Sequence, residues 1–204
     1  MTHGSLILIS APSGAGKTSL VEAIINQIPN LVVSVSHTTR AKRPGETDGA
    51  NYNFVDTATF QSMVKAGQFL EHALVFGNHY GTSAQTVDGL RAQGKIVILE
   101  IDWQGARQVA GIVEDALSIF ILPPSTEALS QRLTARGQDS ASTIDMRLSE
   151  AKLDMSQAEN YDYIVINDDF AQAVLDITAI LHSHQLKAAT QITENPLIES
   201  ILSD

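Results

Sequence analysis

Residues 6 to 18 read Leu6-Ile7-Leu8-Ile9-Ser10-Ala11-Pro12-Ser13-Gly14-Ala15-Gly16-Lys17-Thr18. The apolar run reads as a strand, and Leu20, Val21, Ile24 and Ile25 then recur at helical spacing. A strand, a glycine-rich loop, a lysine, a hydroxyl and a helix in that register build an anion site. Gly14 and Gly16 take backbone angles closed to other residues, so successive N–H groups turn inward around an anion. The helix adds its positive N-terminal end. Lys17 supplies a point charge for the outer phosphates and Thr18 a hydroxyl ligand for Mg²⁺. The general pattern is G-x-x-x-x-G-K-[ST], and Ala11 stands where its first glycine would be. A chance Lys-Thr after a glycine-rich turn would leave the flanking strand and helix unexplained.

Outward from that loop, composition bounds the chain. Its 204 residues suffice for one α/β domain with small insertions. A hydrophobic content of 44% and a charged content of 18% indicate a packed core. No apolar stretch approaches the ~20 residues of a membrane span. Met1-Thr2-His3-Gly4 has no basic region, so no signal peptide is expected. The lack of cysteine excludes disulfides and thiolate metal sites and fits a cytoplasmic protein. A net charge of −10 argues against nucleic acid as a partner. Five of the seven arginines (Arg40, Arg43, Arg132, Arg136, Arg147) fall in two short segments. Such clustering in an acidic chain reads as local anion sites; the alternative is solvated surface charge.

Strand character appears at residues 6–10, 31–36, 95–101, 117–122 and 163–166. Most are rich in Val and Ile and none alternates cleanly, as in parallel strands covered on both faces. Helical patterns fall at 18–27, 85–92, 105–109, 126–136, 142–160 and 171–184. The alternation predicts a doubly wound, five-stranded parallel sheet with ligands at the carboxyl ends of its strands. Ala11, Asp102 and Asn167 emerge there. Residues 37–84 break the pattern with turn signals and two strand-like pieces, 51–55 and 69–76, and read as a small, partly β insertion. Residues 124–148 read as a mostly helical lid. The core is then 4–36, 85–123 and 149–185. The tail, 186–204, reads either as a docking or homo-oligomer helix or as a frayed end.

Within the insertion, Arg40 and Arg43 stand beside hydroxyls, and guanidinium forks suit phosphate oxygens. Tyr52 and Tyr80 offer phenolic donors to the same phosphate. Glu71 needs a separate job. Guanine presents N1–H and N2–H side by side, which one carboxylate accepts, and its O6 takes a donor such as Ser36 or Thr82. A site left with unpaired buried groups rejects the wrong base strongly. Asp102 ends an apolar strand and has two readings, orientation of Mg²⁺ and its waters or an N-cap for the helix near Gly105. Arg132 and Arg136 share a helix face, and arginines that close over a transferring phosphoryl group stabilise its charge. The six histidines show no metal-ligand spacing.

These residues resemble the guanylate kinases, nucleoside monophosphate kinases of the phosphate-loop class, over roughly residues 4 to 185. The likeness rests on Ser10-Ala-Pro-Ser-Gly-Ala-Gly-Lys-Thr18, Ser34-Val-Ser-His-Thr-Thr-Arg40 with Arg43-Pro-Gly-Glu46, Phe76-Gly-Asn-His-Tyr-Gly-Thr82, Ile101-Asp-Trp-Gln-Gly105 and Ile166-Asn-Asp-Asp169. The resemblance implies phosphorylation of GMP or dGMP by MgATP. It implies that Arg40, Arg43, Tyr52 and Tyr80 hold the GMP phosphate and that Ser36, Glu71 and Thr82 read guanine. Ala11, Pro12, Ser13, Gly14, Ala15, Gly16, Lys17 and Thr18 would hold the ATP phosphates, with Thr18 and Asp102 toward Mg²⁺. Asn167 would lie near adenine, and Arg132, Arg136 and Arg147 would act with Lys17 in catalysis. The family usually has aspartate where this chain has Glu100, a base contact whose reach grows here by one methylene. Two other readings are a peptide-binding relative without catalysis and a phosphate-loop kinase for another small phosphate.

Overall fold

The computed structural model describes residues 4–135 and 141–203. Strands β1 (Leu6–Ser10), β2 (Leu31–Val33), β7 (Ile96–Glu100), β8 (Leu117–Leu122) and β9 (Tyr163–Ile166) form a parallel sheet in the order β2-β7-β1-β8-β9. This is the five-stranded sheet that the apolar runs predict. All five residues of β1 are buried, because helices cover both faces. On one face Ile7, Ile9 and Ile98 pack with α1 (Lys17–Ile25) and α7 (Phe170–Gln185) through Leu20, Val21, Ile24, Ala173 and Ile177. On the other, Leu6, Leu8, Val97 and Leu99 pack with α3 (Ala84–Ala92) and α4 (Trp103–Ala110) through Val87, Ala106 and Val109.

Two ends of the sheet set the site. Ile9 pairs with Glu100, so the loop leaving β1 and the acidic end of β7 emerge side by side. Asn167 follows β9, with its N–H bonded to the Leu122 carbonyl at 2.8 Å. At the opposite end Gly4 approaches Lys95 so closely that a Cβ would overlap its carbonyl. There Arg91, almost wholly buried, donates to the Gly4 carbonyl at 2.7 Å and to Asp115 at 2.7 Å.

A second sheet, order β4-β3-β6-β5, is built from β3 (His37–Thr38), β4 (Asn53–Phe54), β5 (Phe69–Val75) and β6 (Asn78–Ser83). It contains β4 and β5 at the two strand-like pieces of the sequence. It also contains β3 and the polar β6, which carry no apolar pattern, and it is joined by α2 (Thr57–Lys65). Helix α2 starts where Asp56 accepts from the Thr59 N–H at 2.7 Å, and its one buried residue is Phe60. Phe60 stacks on Phe69 at 4.7 Å and on His79 at 5.2 Å, against Gly81.

Helices α5 (Thr126–Ala135) and α6 (Ala141–Ser156) form a pair whose small core includes Leu129, Leu133 and Ala151. The tail forms α8 (Ala188–Glu194) and α9 (Pro196–Ser203), with Leu197, Ile201 and Leu202 exposed. Among the described residues no helix is long and apolar enough to cross a membrane.

Candidate active site

The loop between β1 and α1 takes its shape from two left-handed glycines, Gly14 (φ 94°) and Gly16 (φ 95°). The Gly16 carbonyl accepts from Leu20 at 3.1 Å, and no side chain caps α1, so the helix end is left to the loop's own N–H groups. Neighbours hold the loop tightly. A Cβ on Gly14 would press on Leu129 and Leu133 of α5 at 3.0 Å, and one on Gly16 would overlap the Asn167 amide. That amide donates to the Ala15 carbonyl at 2.7 Å, and the Asn167 carbonyl accepts from Arg132 at 2.9 Å. Asn167 therefore braces the loop and joins it to α5. Beside it opens a cleft of about 440 Å³ lined by Gly14, Gly16, Ser19, Arg132, Ala135, Asn167, Asp168 and Phe170. Ser19, Asp168 and Phe170 carry no site role in the sequence reading, although Asp168 stands in the Ile166–Asp169 block beside Asn167.

Lys17 reaches back across the strand ends to the Ile101 carbonyl at 3.3 Å. Burial pulls its ammonium below the usual lysine value, opposed by the charges of Glu100, Asp102, Asp154 and Glu71. Thr18 donates to Glu100 at 3.1 Å, which places Glu100 at the phosphate loop. Asp102 serves as the N-cap of α4, accepting from the Gly105 N–H at 3.0 Å, and its second oxygen accepts from Gln104 at 2.9 Å. Asp102 also adds to the upward push on the Glu71 pKa.

Asp154 of α6 is a further acid near Lys17 that the sequence did not single out. Burial pushes it up to about 6, helped by Asp102 and Glu150. Its signal in the sequence is faint, since it is one of four acids in the helical pattern at 142–160.

Across the cleft, β5 and β6 put Glu71 directly opposite Thr82. The Thr82 hydroxyl donates to Glu71 at 2.5 Å, and Ser36 lies 3.4 Å from Thr82. With Thr82's single proton committed to Glu71, Ser36 is the donor in any bond between the hydroxyls, and at that length a weak one. Glu71 is 3% exposed, and burial pushes its carboxyl up to about 7. The three residues that the sequence assigned to one base thus stand in one hydrogen-bonded row.

The second row of the insertion surrounds Arg40. Glu46 holds it at 2.6 Å and also accepts from the Arg43 backbone N–H at 2.7 Å. The guanidinium lies 5.4 Å from the centre of the Tyr52 ring, and Tyr52 and Tyr80 meet edge to face at 5.8 Å. Burial pushes the Tyr52 hydroxyl up to about 12, so it remains a donor at neutral pH. Arg147 of α6 lies over the Phe76 ring at 5.7 Å, at the turn between β5 and β6. Arg136 lies outside the described residues.

The sequence model of the family described as guanylate kinase matches residues 3–184. The chain belongs to the guanylate kinase family. It is 54% identical over 201 residues to a guanylate kinase of Alkalilimnicola ehrlichii, covering 98% of each chain. It is 57% identical over 196 residues to one from Pseudomonas syringae pv. syringae, covering 91% of this chain and 92% of the relative. The crystal structure of guanylate kinase from Anaplasma phagocytophilum superposes with a TM-score of 0.78 at 35% identity, covering 100% of this chain and 98% of that one. As a member of the family the chain is an ATP-dependent nucleoside monophosphate kinase.

Proposed function

We infer that the chain transfers the γ-phosphoryl group of MgATP to GMP, or dGMP, with the buried Ser36–Thr82–Glu71 row as its guanine reader. That row carries the reading. A buried carboxylate beside two hydroxyls matches the paired N–H donors and O6 acceptor of guanine. Adenine lacks that donor pair and would leave Glu71 unpaired, which is costly in a closed site.

Arg40, Arg43, Tyr52 and Tyr80 hold the GMP phosphate, with Glu46 pre-setting the Arg40 fork. The loop Ala11–Thr18 holds the ATP phosphates through backbone N–H groups, and Asn167 keeps it in shape. The cleft beside Asn167 and Phe170 takes the adenosine end of ATP. Ile9 pairing with Glu100 and the Thr18–Glu100 bond suit Glu100 to the metal side. Asp102, with its charge felt at Glu71, suits the base side. This exchanges the metal role that the strand end suggests for Asp102 and the base contact that the resemblance implies for Glu100. Thr18 and Glu100 are oxygen donors, and no group of three or more His, Cys, Asp or Glu able to hold a metal occurs among the described residues. That donor set fits Mg²⁺, which keeps most of its shell in water and phosphate oxygens. Thr18 and Glu100 would hold the ion or its waters, and it would supply neutralisation of phosphate charge there.

Transfer is direct and in line, because the acceptor phosphate is itself an anionic nucleophile. The protein contributes position and electrostatics. Lys17 and Arg132 meet the charge that develops on the transferring oxygens, and Arg147 approaches from α6. Residues 124–148 act as a lid that excludes water, since water would otherwise hydrolyse ATP. The core is 4–36, 85–123 and 149–185, the acceptor lobe 37–84, and the tail 186–204 stands apart from the chemistry.

The test is ADP formation from ATP and Mg²⁺ with GMP, AMP, CMP and UMP as parallel acceptors. Turnover strongly selective for GMP is expected. Selectivity for another acceptor would remove the base-reading role of Glu71, and no turnover from folded protein would favour a binding module.

A further inference from the structure

Gly105 stands in the first turn of α4, three residues after the Asp102 cap. Glycine there is unexpected. Its backbone is helical rather than left-handed, and glycine weakens a helix relative to alanine. Its bond to Asp102 uses the backbone N–H, which alanine would also supply. The contrast with Gly89 in α3 is instructive, since a Cβ on Gly89 would meet nothing within 4 Å. On Gly105 the three nearest atoms all belong to Glu71. A methyl group would overlap Oε2, stand 3.0 Å from Cδ and 3.4 Å from Cγ.

A carboxylate tip can usually swing aside, but this one is confined. Glu71 is 3% exposed, and its other oxygen, Oε1, is held by Thr82 at 2.5 Å. The overlap reaches back to Cδ, so the whole carboxyl group would have to shift, which would disturb the Thr82 bond that orients it.

We propose that Gly105 is a positioning residue for base recognition: the absent side chain lets the Glu71 carboxylate seat between Thr82 and the backbone of α4. The inference rests on Glu71 as the guanine reader. Gly105 acts through Glu71 and touches neither phosphate site.

The test compares Gly105→Ala, Gly89→Ala, Glu71→Asp and the Gly105→Ala/Glu71→Asp double variant, with GMP and inosine monophosphate as acceptors. The inosine nucleotide keeps N1–H and lacks the exocyclic amine. Gly105→Ala should raise the KM for GMP by about tenfold or more, the scale of a lost hydrogen bond to a charged group. It should shrink the preference for GMP over the inosine nucleotide and leave the KM for ATP within about twofold, a bound set by the weak coupling of sites without shared partners. Gly89→Ala should leave both constants unchanged. Shortening the acid relieves the overlap, so the double variant should lose less than the product of the single effects.

Folded Gly105→Ala with wild-type KM and preference would overturn the proposal. So would a parallel rise in both KM values, or single effects that multiply fully. If Gly105→Ala does not fold, the shorter Glu71→Asp should restore folding, and failure to do so also overturns the proposal. Glu71→Gln separates the two ideas: an unchanged KM for GMP in that variant would refute the base-reading role itself, whatever Gly105→Ala shows.

Discussion

In the proposed reading, the ATP loop and the acceptor lobe hold their nucleotides by opposite means. The loop is one contiguous stretch, Ala11–Thr18, and the groups proposed to hold phosphate are backbone N–H donors shaped by Gly14 and Gly16. The lobe draws its groups from β3, β4, β5, β6 and the turns between them. Its proposed ligands are side chains, Arg40, Tyr52 and Tyr80 for the phosphate and Glu71 for the base, each held by another side chain or ring. A backbone site tolerates variation in its side chains and reads only phosphate. A side-chain site carries identity, because each group can demand a particular partner.

The comparison breaks most sharply at Lys17. Lys17→Met should lower kcat by on the order of 10²–10³-fold, the range for deleting one group aimed at developing charge. The protein should stay folded, because burial already works against the ammonium. Near-normal turnover from folded Lys17→Met would remove the catalytic role of the loop. Next comes Arg40→Met in the lobe. Losing its fork should raise the KM for GMP about 10–100-fold, the worth of bonds between charged groups, with little change in the KM for ATP. Steady-state titration of each substrate separates the two.

Asn167→Ala sharpens the other side. It removes the 2.7 Å bond that braces the Ala15 carbonyl. The KM for ATP should rise by several-fold to about tenfold, as for one buried acceptor left unpaired, while the KM for GMP holds. Equal effects on both substrates would show that Asn167 supports the fold rather than the loop.

The smallest expected effect is the pH dependence of GMP use. Burial, with Asp102 adding to it, lifts the Glu71 carboxyl to about 7, against Thr82 and Lys17. Guanine's donors require the carboxylate, so kcat/KM for GMP should rise several-fold as pH climbs through about 7 and then level, following the ionised fraction. The phosphate of GMP itself titrates near pH ~6. The part of the rise owed to Glu71 should therefore vanish in Glu71→Gln. For stability the sign is reversed. A carboxyl raised in the folded state is favoured while protonated, so its contribution is lost as pH rises from the usual glutamate range through about 7. The melting temperature of Glu71→Gln, relative to wild type, should gain over that interval.

The difference between the two regions also explains what the sequence reveals. The core sheet was legible because both faces are buried, so β1, β7 and β8 appear as apolar runs interrupted inside a strand only by Ser118. The loop was legible because its parts are adjacent in the chain. In the lobe, β6 reads Asn78-His79-Tyr80-Gly81-Thr82-Ser83, so no apolar period marks the strand. Helix α2 buries only Phe60 and leaves almost no stripe to read. The residues Ser36, Glu71 and Thr82 could be named as chemistry, but the ladder that sets Glu71 opposite Thr82 is a matter of register. Glu100 and Asp102 show the same limit. Both end one strand, and only the pairing of Ile9 with Glu100 tells which of them meets the phosphate loop.

The most direct measurement of the central claim, that a buried carboxylate in the lobe selects guanine, is the ratio of kcat/KM for GMP to that for AMP in wild type and in Glu71→Gln. The glutamine keeps the size and loses the paired acceptors. The account predicts a large ratio in wild type that collapses by about 100-fold or more in the variant, mainly through GMP, as expected when a charged partner of two donors is removed. A folded variant that keeps the wild-type ratio would contradict it.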